Sequence, residues 1–258
     1  MRKRLTWTLA LGAVVAIAVA GIATAAKPTV VRAGNLVLTL NGDFSPKQLP
    51  KNKMAGIRLN ISGKIDTADG SHPPAMRKVV VLTDKNGTIN AKGLPVCTSG
   101  KLQAQDTKHA EKICKTAIVG EGNATAEVAF PEQNPIPVTS KVIAFNGGVK
   151  GGVTTIFIHV YFSAPVSGAI VTTVKIKKVH KGRYGTESIA TIPQIAGGSG
   201  STKSFNITFG RKFTYKGKKQ DYLLAKCPDG HLNAEATAFF QDGTKMTGTF
   251  VRSCTPKG

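Results

Sequence analysis

Apolar and polar residues alternate with a period of two through most of this chain. Leu36, Leu38 and Leu40 fall on one side of a short run. Ile57, Leu59 and Ile61 alternate with Arg58, Asn60 and Ser62, and Val79 and Val81 oppose Val80 and Leu82. That period belongs to strands with one face turned to a core. Residues 154–162 (TTIFIHVYF) carry Ile156, Ile158, Val160 and Phe162 on one side and Phe157, His159 and Tyr161 on the other. Apolar groups on both faces predict a central, covered strand. Further strands are expected at 116–119, 124–130, 141–145, 168–177, 186–193, 203–209 and 221–226. The chain closes with a hairpin, 234–241 and 245–252, around Asp242-Gly243, a dipeptide that tolerates left-handed turns. The stretches 41–53, DTADGSHPP and Asp84-Lys85-Asn86-Gly87 read as loops and turns.

A helical period appears in one place. Asp106 or Thr107 caps the start, and Ala110, Ile113, Cys114 and Ala117 share a face, which predicts one short helix near 106–116. About a dozen strands with regular turns predict a mainly β chain, an antiparallel β-sandwich. The strands are not separated by helices, which argues against a parallel α/β sheet. Asn146-Gly-Gly-Val-Lys-Gly-Gly152 is either a linker or a long hairpin tip. As a linker it divides the chain into sandwich halves 27–148 and 149–258. A faint echo between Cys97-Thr-Ser-Gly-Lys-Leu102 and Cys227-Pro-Asp-Gly-His-Leu232 raises the idea of a duplication.

The start of the chain has a different pattern. Arg2, Lys3 and Arg4 precede an apolar stretch holding Leu9, Leu11, Val14, Val15, Ile17, Val19 and Ile22. Ala23-Thr24-Ala25 offers small residues for cleavage, and Lys27-Pro28 ends the run. This order predicts a secretory signal peptide at 1–26 and a secreted chain, or one held at the outer face of the cell envelope. An uncleaved anchor is the alternative, because the run approaches the roughly 20 residues that span a bilayer. Any membrane contact is expected only through that segment.

Export changes how the cysteines and the charge are read. Cys97, Cys114, Cys227 and Cys254 make an even count, and in an exported chain such counts form disulfides. Sequence order favours Cys97–Cys114 and Cys227–Cys254, each closing a short loop. The whole chain carries a formal charge of +21, from 35 Lys and Arg against 14 Asp and Glu. Removal of 1–26 takes three basic residues and no acidic one, leaving about +18. A charge this high attracts polyanions. Outside the cell these are anionic envelope polymers, wall glycopolymer or acidic polysaccharide, and no specific nucleic acid is expected as partner.

The basic residues concentrate late in the chain. Between positions 175 and 219 stand Lys175, Lys177, Lys178, Lys181, Arg183, Lys203, Arg211, Lys212, Lys216, Lys218 and Lys219, against the single acid Glu187. Tyr184, Phe213 and Tyr215 are interleaved. If 168–178 pairs with 205–215, HKGRYG and GRKFTYKGKK come together as a polyanion-binding face. The cations would hold phosphates or carboxylates, and Tyr184 and Tyr215 would stack on rings. The competing explanation is an exposed strand edge charged against aggregation.

Catalytic patterns are thin. His72, His109, His159, His180 and His231 are scattered, and His159, inside a strand, reads as a packed sheet residue. No G-x-S-x-G, H-E-x-x-H, Walker or dinucleotide motif occurs. Asp66 and Asp69 hint at a calcium loop, but the regular spacing of further oxygen ligands is missing. No cofactor, metal or catalytic residue is expected.

The segments SGKIDTADGSHPPAMRKVVV, GLPVC, VAFPEQNPIP, AFNGG, KKVHKGRYGT, GRKFTYKGKKQDYLLAKCPDG and RSCTPKG carry a resemblance. The chain resembles a family of uncharacterised secreted, basic, β-rich proteins from high-GC soil-type actinobacteria. The resemblance implies export and a shared fold, and brings no functional residues with it. The expected function is that of a non-enzymatic envelope protein that binds anionic polymers through a basic face. A secreted hydrolase with an unrecognised His/Asp site and a purely structural surface protein are the alternatives.

Overall fold

The computed structural model describes residues 27–165 and 167–258. The expected signal segment, 1–26, lies outside them. The first strands are β1 (Thr29–Ala33), β2 (Leu36–Ser45), β3 (Gln48–Pro50), β4 (Ala55–Gly56), β5 (Arg58–Thr67), β6 (Met76–Asp84) and β7 (Gly87–Ile89). The helices α1 (Ser99–Leu102) and α2 (Thr107–Cys114) follow, then β8 (Ile118–Val128), β9 (Ile136–Lys150), β10 (Val153–Phe162), β11 (Gly168–Lys181), β12 (Tyr184–Thr191) and β13 (Gly200–Phe209). The chain ends with β14 (Lys212–Tyr215), β15 (Lys218–Asp221), β16 (Leu223–Ala225), β17 (His231–Phe240), β18 (Lys245–Ser253) and β19 (Thr255–Lys257).

Twelve strands form one antiparallel sheet in the order β1-β2-β5-β13-β8-β9-β10-β11-β12-β6-β17-β18. The sheet curls until its two edges meet: the Thr29 hydroxyl donates to the Thr249 carbonyl at 3.0 Å, and Arg252 donates to Gly42 and Asn41 of β2. The core lies inside the curl. Leu36, Leu38 and Ile65 pack with Met76, Ala238, Phe240 and Met246. Ile207 and Phe209 pack with Val142, Ala144, Ile156, Val174 and Ile176. β18 shows the governing alternation most plainly, with Met246, Gly248, Phe250 and Arg252 buried and the residues between them exposed.

The predicted mainly β class, antiparallel pairing and short helix are all present. A single curled sheet, however, takes the place of two sandwich halves. Position 148 lies within β9, and Gly151 and Gly152 form the β9–β10 turn with φ of +58° and +76°. Strands from the two expected halves interleave: β13 lies between β5 and β8, and β6 between β12 and β17. The cysteine echo is not structural either. Residues 97–102 enter α1, whereas Pro228 and Gly230 (φ +89°) turn the chain into β17.

Helix α2 begins where capping chemistry predicts, with the Asp106 carboxylate accepting from the His109 amide at 2.8 Å. Ala110 and Cys114 face inward, but Ile113 is 40% exposed. The helices cover the outer side of β9 and β10, where Cys97, Leu102, Ala110 and Cys114 pack on Ile143 and Phe145. This second layer explains why β10 is apolar on both faces. Cys97–Cys114 ties the helical cover down, and Cys227–Cys254 joins the approach to β17 with the end of β18. Both pairings are those expected, and they suit an oxidising compartment. No helix among the described residues is long and apolar enough to cross a membrane.

Candidate functional site: a basic sheet face and hairpin

Pairing of 168–178 with 205–215 does not occur. β11 pairs with β10 and β12, and β13 pairs with β5 and β8. The 205–215 stretch is also broken at Gly210, whose φ is +146°. β11 and β13 nevertheless run in the same direction, four places apart in sheet order. The β11–β12 turn and the β14–β15 hairpin therefore leave the sheet at the same end. Between them lies the small sheet β4-β16-β7: Lys85, just before β7, donates its amide to the Arg183 carbonyl, and β16 follows β15 directly.

The first station is β11. Lys175 and Lys177 point outward, in register with Ile189 and Glu187 of β12. Lys177 and Lys181 grip the Glu187 carboxylate at 2.8 and 2.7 Å. Their hydrogen bonds hold the Glu187 carboxyl below the usual carboxylate range. Lys175 and Lys178 are exposed and have no carboxylate partner among the described residues.

Arg183, at the turn, is a latch. Its guanidinium donates to Asn233 at 2.9 Å and lies 3.2 Å from the His231 ring. Asn233 in turn donates to the buried Asp84 carboxylate, which also receives the amide and side chain of Asn86. Tyr184 is half-buried. Burial, with Glu235 nearby, raises its hydroxyl above the ordinary tyrosine range.

The second station is the β14–β15 hairpin. Lys216 and Gly217, both at positive φ, make its two-residue turn. Lys216, Lys218 and Lys219 are exposed and unpaired among the described residues, while Lys212 lies 3.7 Å from Asp221. Tyr215 is committed to packing. Its ring covers Gly93 so closely that a Cβ there would fall 2.0 Å away. Arg211 donates to the carbonyls of Lys115 and Ile118 at 3.3 and 2.7 Å, closing the turn after α2.

The twelve expected binding residues thus separate by what they touch. Arg183, Arg211 and Tyr215 hold the fold together, and Tyr184 is half-buried. Lys177, Lys181 and Lys212 are paired with carboxylates. Lys175, Lys178, Lys216, Lys218 and Lys219 are exposed with no carboxylate partner among the described residues. The edge explanation separates in the same way. β11 is paired on both sides as far as Ile176, so Lys175 guards no edge, whereas Lys177, Lys178 and Lys181 lie beyond its pairing with β10, and the β14–β15 hairpin is a free two-stranded edge.

No catalytic constellation assembles around the histidines among the described residues. His159 is fully buried, its Nε2 3.0 Å from the Gln105 carbonyl, and burial lowers its pKa. His72 lies 3.4 Å from Glu127 and His231 3.9 Å from Asp229, with no serine or cysteine hydrogen-bonded to either. Asp69 forms a turn, accepting from the Ser71 amide at 2.9 Å. Bonds to Asn35 and Ser71 hold its carboxyl far below the usual range. No group of three or more His, Cys, Asp or Glu converges as a metal cage among the described residues.

A second feature was not foreseen from sequence. The outer side of β2, β5, β13 and β8 carries no helix, and a shallow depression of about 500 Å³ lies across it. Asn41, Ser62, Asn206 and Asn123 stand side by side on the four strands, with Thr39, Lys64, Ser204 and Thr125 in the next row. The polar half of each strand's alternation was the available signal. Nothing in sequence order showed that β13 would lie between β5 and β8. No family model, curated protein or solved structure matches the chain.

Proposed function

We propose that the protein is exported and acts outside the membrane as a non-enzymatic binder of anionic envelope polymers. The observation that carries this reading is exposed Lys175, which has no carboxylate partner among the described residues and stands where β11 is paired on both sides, so edge protection gives no reason for it. Lys216, Lys218 and Lys219 add a second set of cations at the same end of the sheet. A polymer with repeated phosphates or carboxylates can engage both stations at once, which raises avidity without requiring a deep pocket. Two disulfides and the secretory pattern of residues 1–26 support the compartment.

The test is retention on an immobilised, purified anionic wall glycopolymer across a salt series. Screening shortens from about 10 Å at 0.1 M to about 3 Å at 1 M salt, so retention is expected to be strong at low salt and lost near 1 M. Replacing Lys175, Lys178, Lys216, Lys218 and Lys219 together by Gln is expected to abolish it. Absence of binding at low salt, or binding indifferent to salt, contradicts the proposal.

A further inference from the structure

The uncovered face of β2-β5-β13-β8 differs in chemistry from the rest of this basic molecule. Its charges balance locally: Lys64 pairs with Asp66 at 2.9 Å, and Lys203 lies 3.8 Å from Asp66 and 3.6 Å from Glu127. A polyanion therefore gains little from it. No large apolar side chain points outward from the central rows, so it lacks the apolar centre of a protein interface. What it offers is a row of amides and hydroxyls on adjacent strands, repeated every ~4.8 Å. Ser62, Asn206 and Asn123 make no side-chain hydrogen bond within the described residues. Asn41 is fixed from behind by Arg252, 2.9 Å from its oxygen.

An amide presents donors and an acceptor together, and a sugar hydroxyl is both donor and acceptor. A row at this spacing, along a depression about 500 Å³ in volume, suits a hydroxyl-rich chain lying across the strands, with successive rings meeting successive side chains. A rigid sheet holds these groups in place before binding, which lowers the ordering cost. The Asp66–Lys203–Glu127 cluster, with His72 beside it, borders the rows on one side, further along the same strands.

We infer that this face is a binding site for a neutral polysaccharide, separate from the basic stations and insensitive to salt. The experiment is retention of the folded chain on insoluble chitin, cellulose and starch at 0.1 and 1 M NaCl. Retention on at least one of the three is expected to persist at 1 M. Asn123→Leu with Asn206→Leu is expected to weaken it about ten-fold or more, the loss of roughly one net polar contact. Both positions are exposed, and a single Asn206→Ala change gives a milder second variant if the pair misfolds. Lys175→Gln with Lys178→Gln should leave it unchanged. The inference is overturned by absence of retention on all three, by retention that the asparagine changes do not alter, or by retention that disappears with salt. The last outcome would assign the binding to the basic stations.

Discussion

Two buried side chains make residue-level predictions. Tyr222 is fully buried among Val119, Val142, Phe209 and Leu223, and its hydroxyl has no hydrogen-bond partner among the described residues. An unpaired buried hydroxyl costs about 1–3 kcal/mol. Tyr222→Phe should therefore raise stability by about 1 kcal/mol in denaturant unfolding, and a loss would show that the hydroxyl is satisfied. His159 acts through pH. Burial depresses its folded-state pKa below the ordinary 6.5, so between the two values the unfolded chain binds the extra proton. Stability is intact above about pH 6.5 and falls as pH drops below it. Unfolding measured from pH 8 to 5 should show this fall, and His159→Gln should flatten it. Ordinary sequence logic anticipated His159 as a packed strand residue. It could not foresee the orphaned Tyr222 hydroxyl, because the partners a buried group lacks are a property of the assembled core.

Among elements, the helical cover over β9 and β10 is the clearest case of local sequence deciding structure. Asp106 caps α2, the apolar spacing buries Ala110 and Cys114, and Cys97–Cys114 fastens it. Lys141 adds an ion pair to Glu111 that raises the lysine's pKa. Replacing Cys97 and Cys114 by Ala should cost on the order of 3 kcal/mol. Amide exchange should quicken first over 99–114. Uniform quickening across the sheet would contradict a cover that opens by itself. The basic elements were legible as composition but not as placement. Lysines 216–219 and 175–181 look like one cluster along the chain, but three strands, β8, β9 and β10, separate β13 from β11. Arg183 and Arg211 look like ligand-binding cations in sequence, yet the fold turns both onto its own carbonyls and amides.

At the scale of the whole molecule, strand existence was readable from alternation, while strand order was not. Hairpins such as β17–β18 follow from a turn dipeptide, but insertion of β13 between β5 and β8 depends on pairing with strands far earlier in the chain. Gly122 marks how close that insertion is: a Cβ there would fall 1.8 Å from the Asn206 carbonyl oxygen. Gly122→Ala should therefore destabilise the chain by about 1–3 kcal/mol, with the loss visible as a lower unfolding midpoint. The curled sheet also divides the surface by chemistry. One end gathers unpaired lysines, and one outer face carries neutral amides and hydroxyls.

We propose that the exposed lysines of β11 and the β14–β15 hairpin bind an anionic envelope polymer together. Affinity for a purified anionic wall glycopolymer, measured from about 0.05 to 1 M salt for the native chain and for the five-lysine Gln variant, is the decisive measurement. A steep decline with salt is expected for the native chain, and negligible binding for the variant at every salt. Equal binding by the two proteins, or a native affinity that does not change with salt, would contradict it.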